Sequence, residues 1–493
     1  GAERVNAGMI ELARLHAPLL IVIGPLIGAG LAALLPSARL SWAVTVGAAL
    51  VSAVVALDLA ARGLVAGVTV PQTLEGIALR PDGVSLFGAP LVAVASVLVT
   101  LAAGAALRDL QPRAAPFALA LLGVISAGWL GALMAADFTG MLVSAMAAWL
   151  ASVGLVALSA ERDRAALNGA LRMLTAGGIG GALMLLGAGL VARSVGSLDL
   201  GAFASMQVAA PSVAAAGAGL VLLTFALMAG VAPLHFWTGA AYGRAGSLPA
   251  LALGALSAIG ALGLLLRVAA HAMAAPVVGE GVSAALAALG VASVVIGSFQ
   301  AAGATNLRRL AGYASAAQAG CILLTAALGS PAAFAAAFVQ LFAMSAAALA
   351  LLGGASAVGA GMTLHVLDGL GRRAPLASAA IMVGALSLMG APLTIGFLGR
   401  WRMIEAGVGA GWWWATGAVI AASLAAVFYA GRLIERIYFR RAHSAVENVN
   451  DMWRLTLAPA LAAAILAIAL GLEPSLLLRA AERASALLLG EAA

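Results

Sequence analysis

The side chains of this 493-residue chain that could move a proton are few and unevenly chosen. All 26 basic residues are arginine, set against 19 acidic residues and 5 histidines, and lysine is absent. A lysine buried in a low-dielectric interior can release its proton near neutral pH, whereas a guanidinium, with a pKa above about 12, keeps its own. A chain that moved protons on buried lysines would here have lost the usual carrier. A GC-rich coding bias, consistent with 60 glycines and many alanine runs, would also remove lysine. On composition alone both readings stand.

Among the histidines, only His235 stands at an informative place, just after Pro233 in the segment PLHFW. Its imidazole could exchange a proton at neutral pH, or its ring nitrogens could satisfy carbonyls released by Pro233. His16, His271, His365 and His443 lack metal-ligand spacing. The single Cys321 rules out a disulfide and any cysteine-bound zinc or iron–sulfur centre. Neither a cofactor nor a metal is expected.

The elements that must position these groups are membrane helices. Hydrophobic residues make up 63% of the chain, charged residues 9%, and the mean hydropathy is +1.09, a composition that excludes a soluble domain of this length. Apolar runs long enough to cross a bilayer number about 14. They centre near Ile23, Val51, Val94, Leu122, Val153, Met184, Val221, Ala258, Val291, Leu323, Leu341, Ala385, Ile420 and Ile465. The expected fold is all-α, a polytopic membrane helix bundle forming one domain over 1–493, with an amphipathic tail over 474–493. The opening GAERVNAGMIEL has no secretory-signal pattern, so no cleaved leader is expected.

The acidic residues, including Glu161, Asp163, Glu280, Glu405 and Glu435, lie at or near expected span ends; Asp58 and Asp137 come nearest to an apolar run. Neutral polar residues persist inside spans, among them Ser144, Ser152, Ser257, Gln318, Gln340 and Thr394. They either line a water chain or join packed helices. An even number of spans places both termini on one side. The arginines favour the connections after odd-numbered spans, which makes those connections cytoplasmic and puts both termini on the outer face of a bacterial inner membrane. Topology therefore accounts for the net charge of +7 and a pI near 10.8, and no nucleic-acid partner is expected. The densest charged stretch, Arg432 to Arg454, meets anionic headgroups or a partner subunit, or is simply solvated.

Two spans carry proline where a straight membrane helix would not: Pro233 in FALMAGVAPLHFW and Pro392 in LSLMGAPLTIGFLGRW. Each frees a carbonyl, which at membrane depth needs protein or a water-filled cavity to satisfy it. Singly each reads as a kink; the pair reads as two broken helices in internally repeated halves.

At these residues the chain resembles a known family. Met228 to Ala250, MAGVAPLHFWTGAAYGRAGSLPA, is similar to the KAGxxPLHxWLPxAHxxAPSPVSA signature of the antiporter-like membrane subunits of respiratory complex I. Thr305 to Gly320 resembles TNxKRLLAYSSIAHAG, and LGRRAPL with SLMGAPLTIGFLGR resembles GLxRRxPL with SLxGIPPTAGFxGK. Asp137 to Leu155 resembles DLLxLFxxWELMSLASYLL. The four motifs keep the family's order across roughly residues 80 to 440. The same superfamily includes membrane subunits of energy-converting hydrogenases, Mrp-type cation/proton antiporters and some inorganic-carbon uptake systems.

The resemblance implies a glutamate–lysine pair at the first broken helix, a central lysine or histidine, and a terminal lysine or glutamate on one hydrated axis. The glutamate position is Met146, the first lysine position Met228, and the central position falls at or next to Ile259. The motif histidine is replaced by Gln318, while arginine stands at Arg308 and at the terminal position, Arg400. Coding bias accounts for lysine becoming arginine. It does not account for methionine at 146 and 228, which keeps side-chain volume but carries no titratable proton.

The functional expectation is an antiporter-like subunit of a complex I-like, hydrogenase-like or Mrp-like assembly, degenerate because most carriers are gone. Its partners would be the bilayer and other membrane subunits. The alternatives are an active proton or cation translocator using another polar path, and the membrane partner of an inorganic-carbon uptake complex. A redox enzyme in its own right is disfavoured, since the chain has no nucleotide-binding glycine fingerprint and no cysteine cluster. Any enzymatic activity would belong to the parent complex.

Overall fold

The computed structural model describes residues 11, 14–66, 79–106, 114–161, 163–205, 211–275, 278–359, 363–441 and 453–490. Long apolar helices follow one another through short connections: α1 (Ala17–Leu34), α2 (Ala38–Ala60), α3 (Gly83–Ala106), α4 (Ala114–Met134), α5 (Phe138–Leu158), α6 (Ala166–Val195) and α7 (Pro211–Ala229). A short helix, Thr238–Arg244, leads into α8 (Ser247–Met273), which carries a π-helical segment over Leu253–Ser257. The chain continues through α9 (Gly279–Gly303), α10 (Leu307–Ala326), α11 (Pro331–Ala357), α12 (Pro375–Met389), α13 (Ile395–Gly409), α14 (Trp413–Ile434), α15 (Trp453–Leu472) and α16 (Ser475–Leu489).

All 14 expected centres fall within helices, and among the described residues 11 of those helices are long and apolar enough to cross a membrane alone, or 12 with the bent α15–α16 pair. The count of about 14 spans is therefore not reproduced. The shortfall is at α10, which carries Arg308, Arg309 and Gln318, and at α12, which stops after 15 residues at a break. Both are apolar enough to be found in the sequence, yet α10 is diluted by polar residues and α12 is short, and both lie largely buried against protein.

Small residues let these helices touch at the backbone. A Cβ added at Gly320 of α10 would lie 2.6 Å from the Val294 backbone N of α9, and one at Gly290 would lie 2.8 Å from that of Leu324. The same close approach joins α6 and α7 through Gly187 and Gly217. α8 and α11 form the buried centre, whereas Phe299, Leu424 and Val143 stand out from the bundle as lipid-facing side chains do.

Connections pair in two sets that mark two faces. Arg80 joins Asp199, and Arg267 reaches the segments at Arg80 and Ala135. On the other face Arg244 meets Asp163, Thr305 accepts from the Leu364 N–H, and Arg436 binds Asp368 at 2.9 Å. α16 turns 84° from α15 and packs Ala481, Ala484 and Leu488 inward, within the segment expected as an amphipathic tail. The chain opening, His443 and most of the charged stretch after Arg441 lie outside the described residues.

Candidate functional site

Both prolines follow the same device. α7 ends with Gly230 at φ +72°, where the Val231 N–H donates to the Ala226 carbonyl at 2.9 Å and the Gly230 N–H to Leu227 at 3.2 Å. α12 ends with Gly390 at φ +79°, where Ala391 donates to Leu386 at 2.9 Å and Gly390 to Ser387 at 3.1 Å. These are matching Schellman caps, which close a helix and let a proline follow. Helical structure resumes at Thr238 in the first case and at Ile395 in the second. The Ala232–Pro233 peptide is cis.

Met228 sits in the last turn before the first break and is 1% exposed. Its Cε reaches within 3.7 Å of where a Cβ would stand on Gly180 of α6, and Met146 Cε comes within 3.6 Å of the same point on Gly181. Two positions that the family resemblance pairs as lysine and glutamate thus end on adjacent glycines of one helix. The polar contact at this place is a hydroxyl: Thr224 Oγ1 donates to the Gly180 carbonyl at 3.0 Å. Trp149 and Trp237 meet edge to face nearby, and each indole N–H is taken by a carbonyl, of Met173 and Leu227 respectively.

Ile259 lies two residues beyond the π segment of α8 and is fully enclosed. A π segment shifts the carbonyl ladder and needs other donors; Ser345 supplies one to the Ala255 carbonyl at 3.3 Å. Ser257, at the end of the segment, meets Ser152 of α5 at 3.0 Å and accepts from Trp129 Nε1 at 3.3 Å. The central position is apolar, and hydroxyls flank it.

The second break carries a connected polar chain. Gln340 Nε2 donates to Gln318 Oε1 at 2.7 Å, and Gln318 Nε2 donates to the Leu388 carbonyl at 2.8 Å. Arg400 Nη2 donates to that same carbonyl at 2.6 Å, and its Nη1 to Ser423 Oγ at 2.6 Å. Arg400 is 3% exposed, and among the described residues no carboxylate lies within ion-pair distance of it. Backbone carbonyls and a serine hold this guanidinium.

The sequence-derived positions therefore fall into separate groups. Met146 and Met228 end against adjacent glycines of α6, and Gln318 and Arg400 meet at Leu388, but Ile259 touches neither group through a polar contact. His235 Nε2 bonds Gln300 Oε1 at 2.5 Å, while its carbonyl caps the helix start at Thr238. Arg308 stands in the first turn of α10, above the Asn306 cap, and donates to the Ala245 carbonyl at 2.8 Å. It braces a helix end rather than joining the Gln318–Arg400 chain.

Gln340 and Ser423 were not singled out as partners of Gln318 and Arg400, because the contacts span 22 and 23 residues and no local spacing encodes them. Arg267 corrects the reading of the sequence more sharply. It lies in the last turns of α8, 2% exposed, where its place near the end of an apolar run gives no hint of burial. Its Nε binds Asp82 at 2.5 Å, and its terminal nitrogens donate to the carbonyls of Leu133, Ala135 and Arg80. Outside the span, Asp82 would be raised by burial, but the Arg267 and His271 charges and the Ser85 N–H hold its carboxyl below its ordinary value.

A bundle of membrane-crossing helices with two capped breaks, an enclosed polar chain at the second and a thioether pair at the first defines an antiporter-like membrane subunit. Residues 135–425 match the family model for the NADH:quinone oxidoreductase/Mrp antiporter transmembrane region, which takes in more than half of the chain. The chain belongs to that family. Its fold is similar to a chain of the archaeal respiratory membrane-bound sulfane sulfur reductase (TM-score 0.85, 21% identity, 96% of this chain and 97% of that chain covered). It is also similar to a chain of the Mrp complex from Dietzia sp. DQ12-45-1b (TM-score 0.83, 22% identity, 97% of each covered). A chain of respiratory complex I from Thermus thermophilus aligns at 25% identity and a TM-score of 0.77, with 94% of this chain and 98% of that one covered. All three are parts of multisubunit membrane complexes.

Proposed function

We propose that this antiporter-like subunit seals and braces a multisubunit membrane complex without passing protons along the family's axis. The observation that carries this reading is the pairing of Met146 and Met228 against Gly181 and Gly180, where the family pairs a carboxylate with an amine. A relay needs groups whose protonation changes under the working conditions. Met146 and Met228 are thioethers, Ile259 is apolar, Gln318 is an amide, and Arg400 carries a guanidinium in place of an amine. The site positions Met146, Met228, Ile259, Gln318 and Arg400 then act as packing and bracing groups, with His235 and Arg308 securing the chain around the first break.

One observation favours a second reading, in which the subunit conducts by another path. The hydrogen-bonded chain from Gln340 through Gln318 and the Leu388 carbonyl to Arg400 and Ser423 is continuous and buried. Amides and hydroxyls of this kind can order water in a pore. The fixed charge of Arg400 opposes cation passage there, which keeps bracing the better-supported role.

Under either reading the chain sits in the bacterial cytoplasmic membrane with both termini outside, a placement that rests on the arginine bias of the odd-numbered connections. The deciding experiment is reconstitution of the purified complex in liposomes with a pH-sensitive dye. Proton movement left intact by Gln318→Leu and by Arg400→Met agrees with bracing, provided both variants assemble. Movement abolished by either one in an assembled complex would establish conduction through this chain.

A further inference from the structure

A polar cavity of about 620 Å³ opens beside the first helix break, lined by His235 and by none of the axis positions Met146, Met228, Ile259, Gln318 and Arg400. Three arginines from three elements border it: Arg172 of α6, Arg244 at the end of the short helix, and Arg309 of α10. Each is oriented by one protein contact. Arg309 Nε donates to the Gly239 carbonyl at 2.9 Å, Arg172 Nη1 to the Phe236 carbonyl at 3.3 Å, and Arg244 Nη1 to Asp163 at 3.4 Å. A guanidinium has five N–H donors, so each retains donors after that contact.

Among the described residues no carboxylate lines the cavity, and Asp163 offsets a single one of the three positive charges. Asn168 and the Tyr313 side chain add neutral polar groups. The shape is built into the backbone, because a Cβ on Gly239 would collide with the Tyr313 hydroxyl. Like charges gathered around one hollow repel, and an anion between them reverses the sign of that energy. Planar guanidinium forks match pairs of oxygens. A carboxylate offers two oxygens, too few for three forks, whereas a tetrahedral phosphate offers enough.

We propose that this cavity binds a phosphate-class oxyanion, clamped by the guanidinium groups of Arg172, Arg244 and Arg309. The ligand is either free phosphate or the headgroup phosphate of an anionic lipid, since exposed Phe236 places an apolar rim beside the opening. The site does not depend on whether the subunit conducts protons.

The test uses the purified full chain in neutral detergent, with inorganic phosphate and a short-chain phosphatidylglycerol as separate probes against chloride at equal ionic strength. Binding is followed by Tm and by titration of tryptophan fluorescence. At least one phosphate-bearing probe should bind, with Arg172→Gln/Arg309→Gln weakening it by about tenfold or more, the loss expected for charge-assisted hydrogen bonds. The Arg440→Gln control, whose side chain pairs with Glu435 and does not line the cavity, should bind as wild type. Arg244→Gln, at an exposed side chain, is the second variant should the double one fail to fold. Binding of free phosphate identifies a soluble ligand; binding of the lipid alone identifies a headgroup. Failure of both probes, binding of acetate or an acidic peptide in their place, or affinity unchanged in the folded variants would overturn the proposal.

Discussion

Gln318 and Arg400 share one acceptor: the Leu388 carbonyl receives Gln318 Nε2 at 2.8 Å and Arg400 Nη2 at 2.6 Å. That carbonyl lies in the last turn of α12, where the break at Gly390 removes the helical N–H groups that would otherwise have bonded to it. Two side chains 82 positions apart in the chain thus replace the missing helical donors. The consequence is a second break tied together by a buried guanidinium and an amide.

Arg400→Ala should leave the Leu388 carbonyl with Gln318 alone and Ser423 without its donor. A cost of about 2–4 kcal/mol is expected for breaking a buried charged network. Arg400→Lys should recover little, because one ammonium cannot reproduce the guanidinium fork across Leu388 and Ser423. Thermal unfolding of the detergent-solubilised chain checks both; full recovery by lysine would contradict the geometry.

Met146→Glu and Met228→Lys should each destabilise the chain, by about 2–3 kcal/mol for an unpaired charge placed in a membrane span. Made together, they should cost less than the sum, since both side chains end on the Gly180–Gly181 step. A double-mutant cycle on unfolding free energies measures the coupling. Strict additivity would show that the two positions do not face one another.

Gly320→Ala should destabilise by about 1–3 kcal/mol, because its Cβ meets the α9 backbone at 2.6 Å and neither helix can yield alone. Gly181→Ala should be neutral or slightly stabilising, as its Cβ meets only the flexible end of Met146 and alanine favours the helix. Melting temperatures of the two variants, measured side by side, test the difference.

The Asp82–Arg267 clamp makes a pH prediction. Because folding lowers the Asp82 pKa, its contribution is fully present above the unfolded value of about 4 and is lost as pH falls through the lower folded value. Stability from this group should therefore be constant from neutral pH down to about 5 and fall in the acid range below about 4. Asp82→Asn should lower stability at neutral pH and flatten that acid limb. Unfolding midpoints of both proteins from pH 3 to 7 provide the comparison, and an unchanged acid limb in the variant would refute it.

Much of the candidate site could be placed from the chain alone. The Pro233 and Pro392 segments marked both breaks, and motif order placed Met146, Met228, Gln318 and Arg400. Spacing alone did not reveal that Arg267 is buried, because arginine near a helix end resembles a snorkelling surface residue until its carbonyl partners are known. Gln340 and Ser423 were equally hidden. Nothing in their neighbourhoods distinguishes a network member from a packing residue.

The amino-acid sequence by itself determined the class: hydropathy demands membrane helices, the breaks at Pro233 and Pro392 demand satisfied carbonyls, and the absence of lysine removes the readiest proton carrier. Tertiary structure alone decided which groups answer those demands. Among the described residues 11 helices, or 12 with the bent pair, are long and apolar enough to cross a membrane by themselves, while α10 and α12 lie largely against protein neighbours. The Leu388 carbonyl found Gln318 and Arg400, and Arg267 found Asp82, through contacts between distant segments. The reason is physical: hydrophobicity is a property of each residue and sums along the chain, whereas a buried hydrogen bond exists only where packing brings a donor and an acceptor to within about 3 Å.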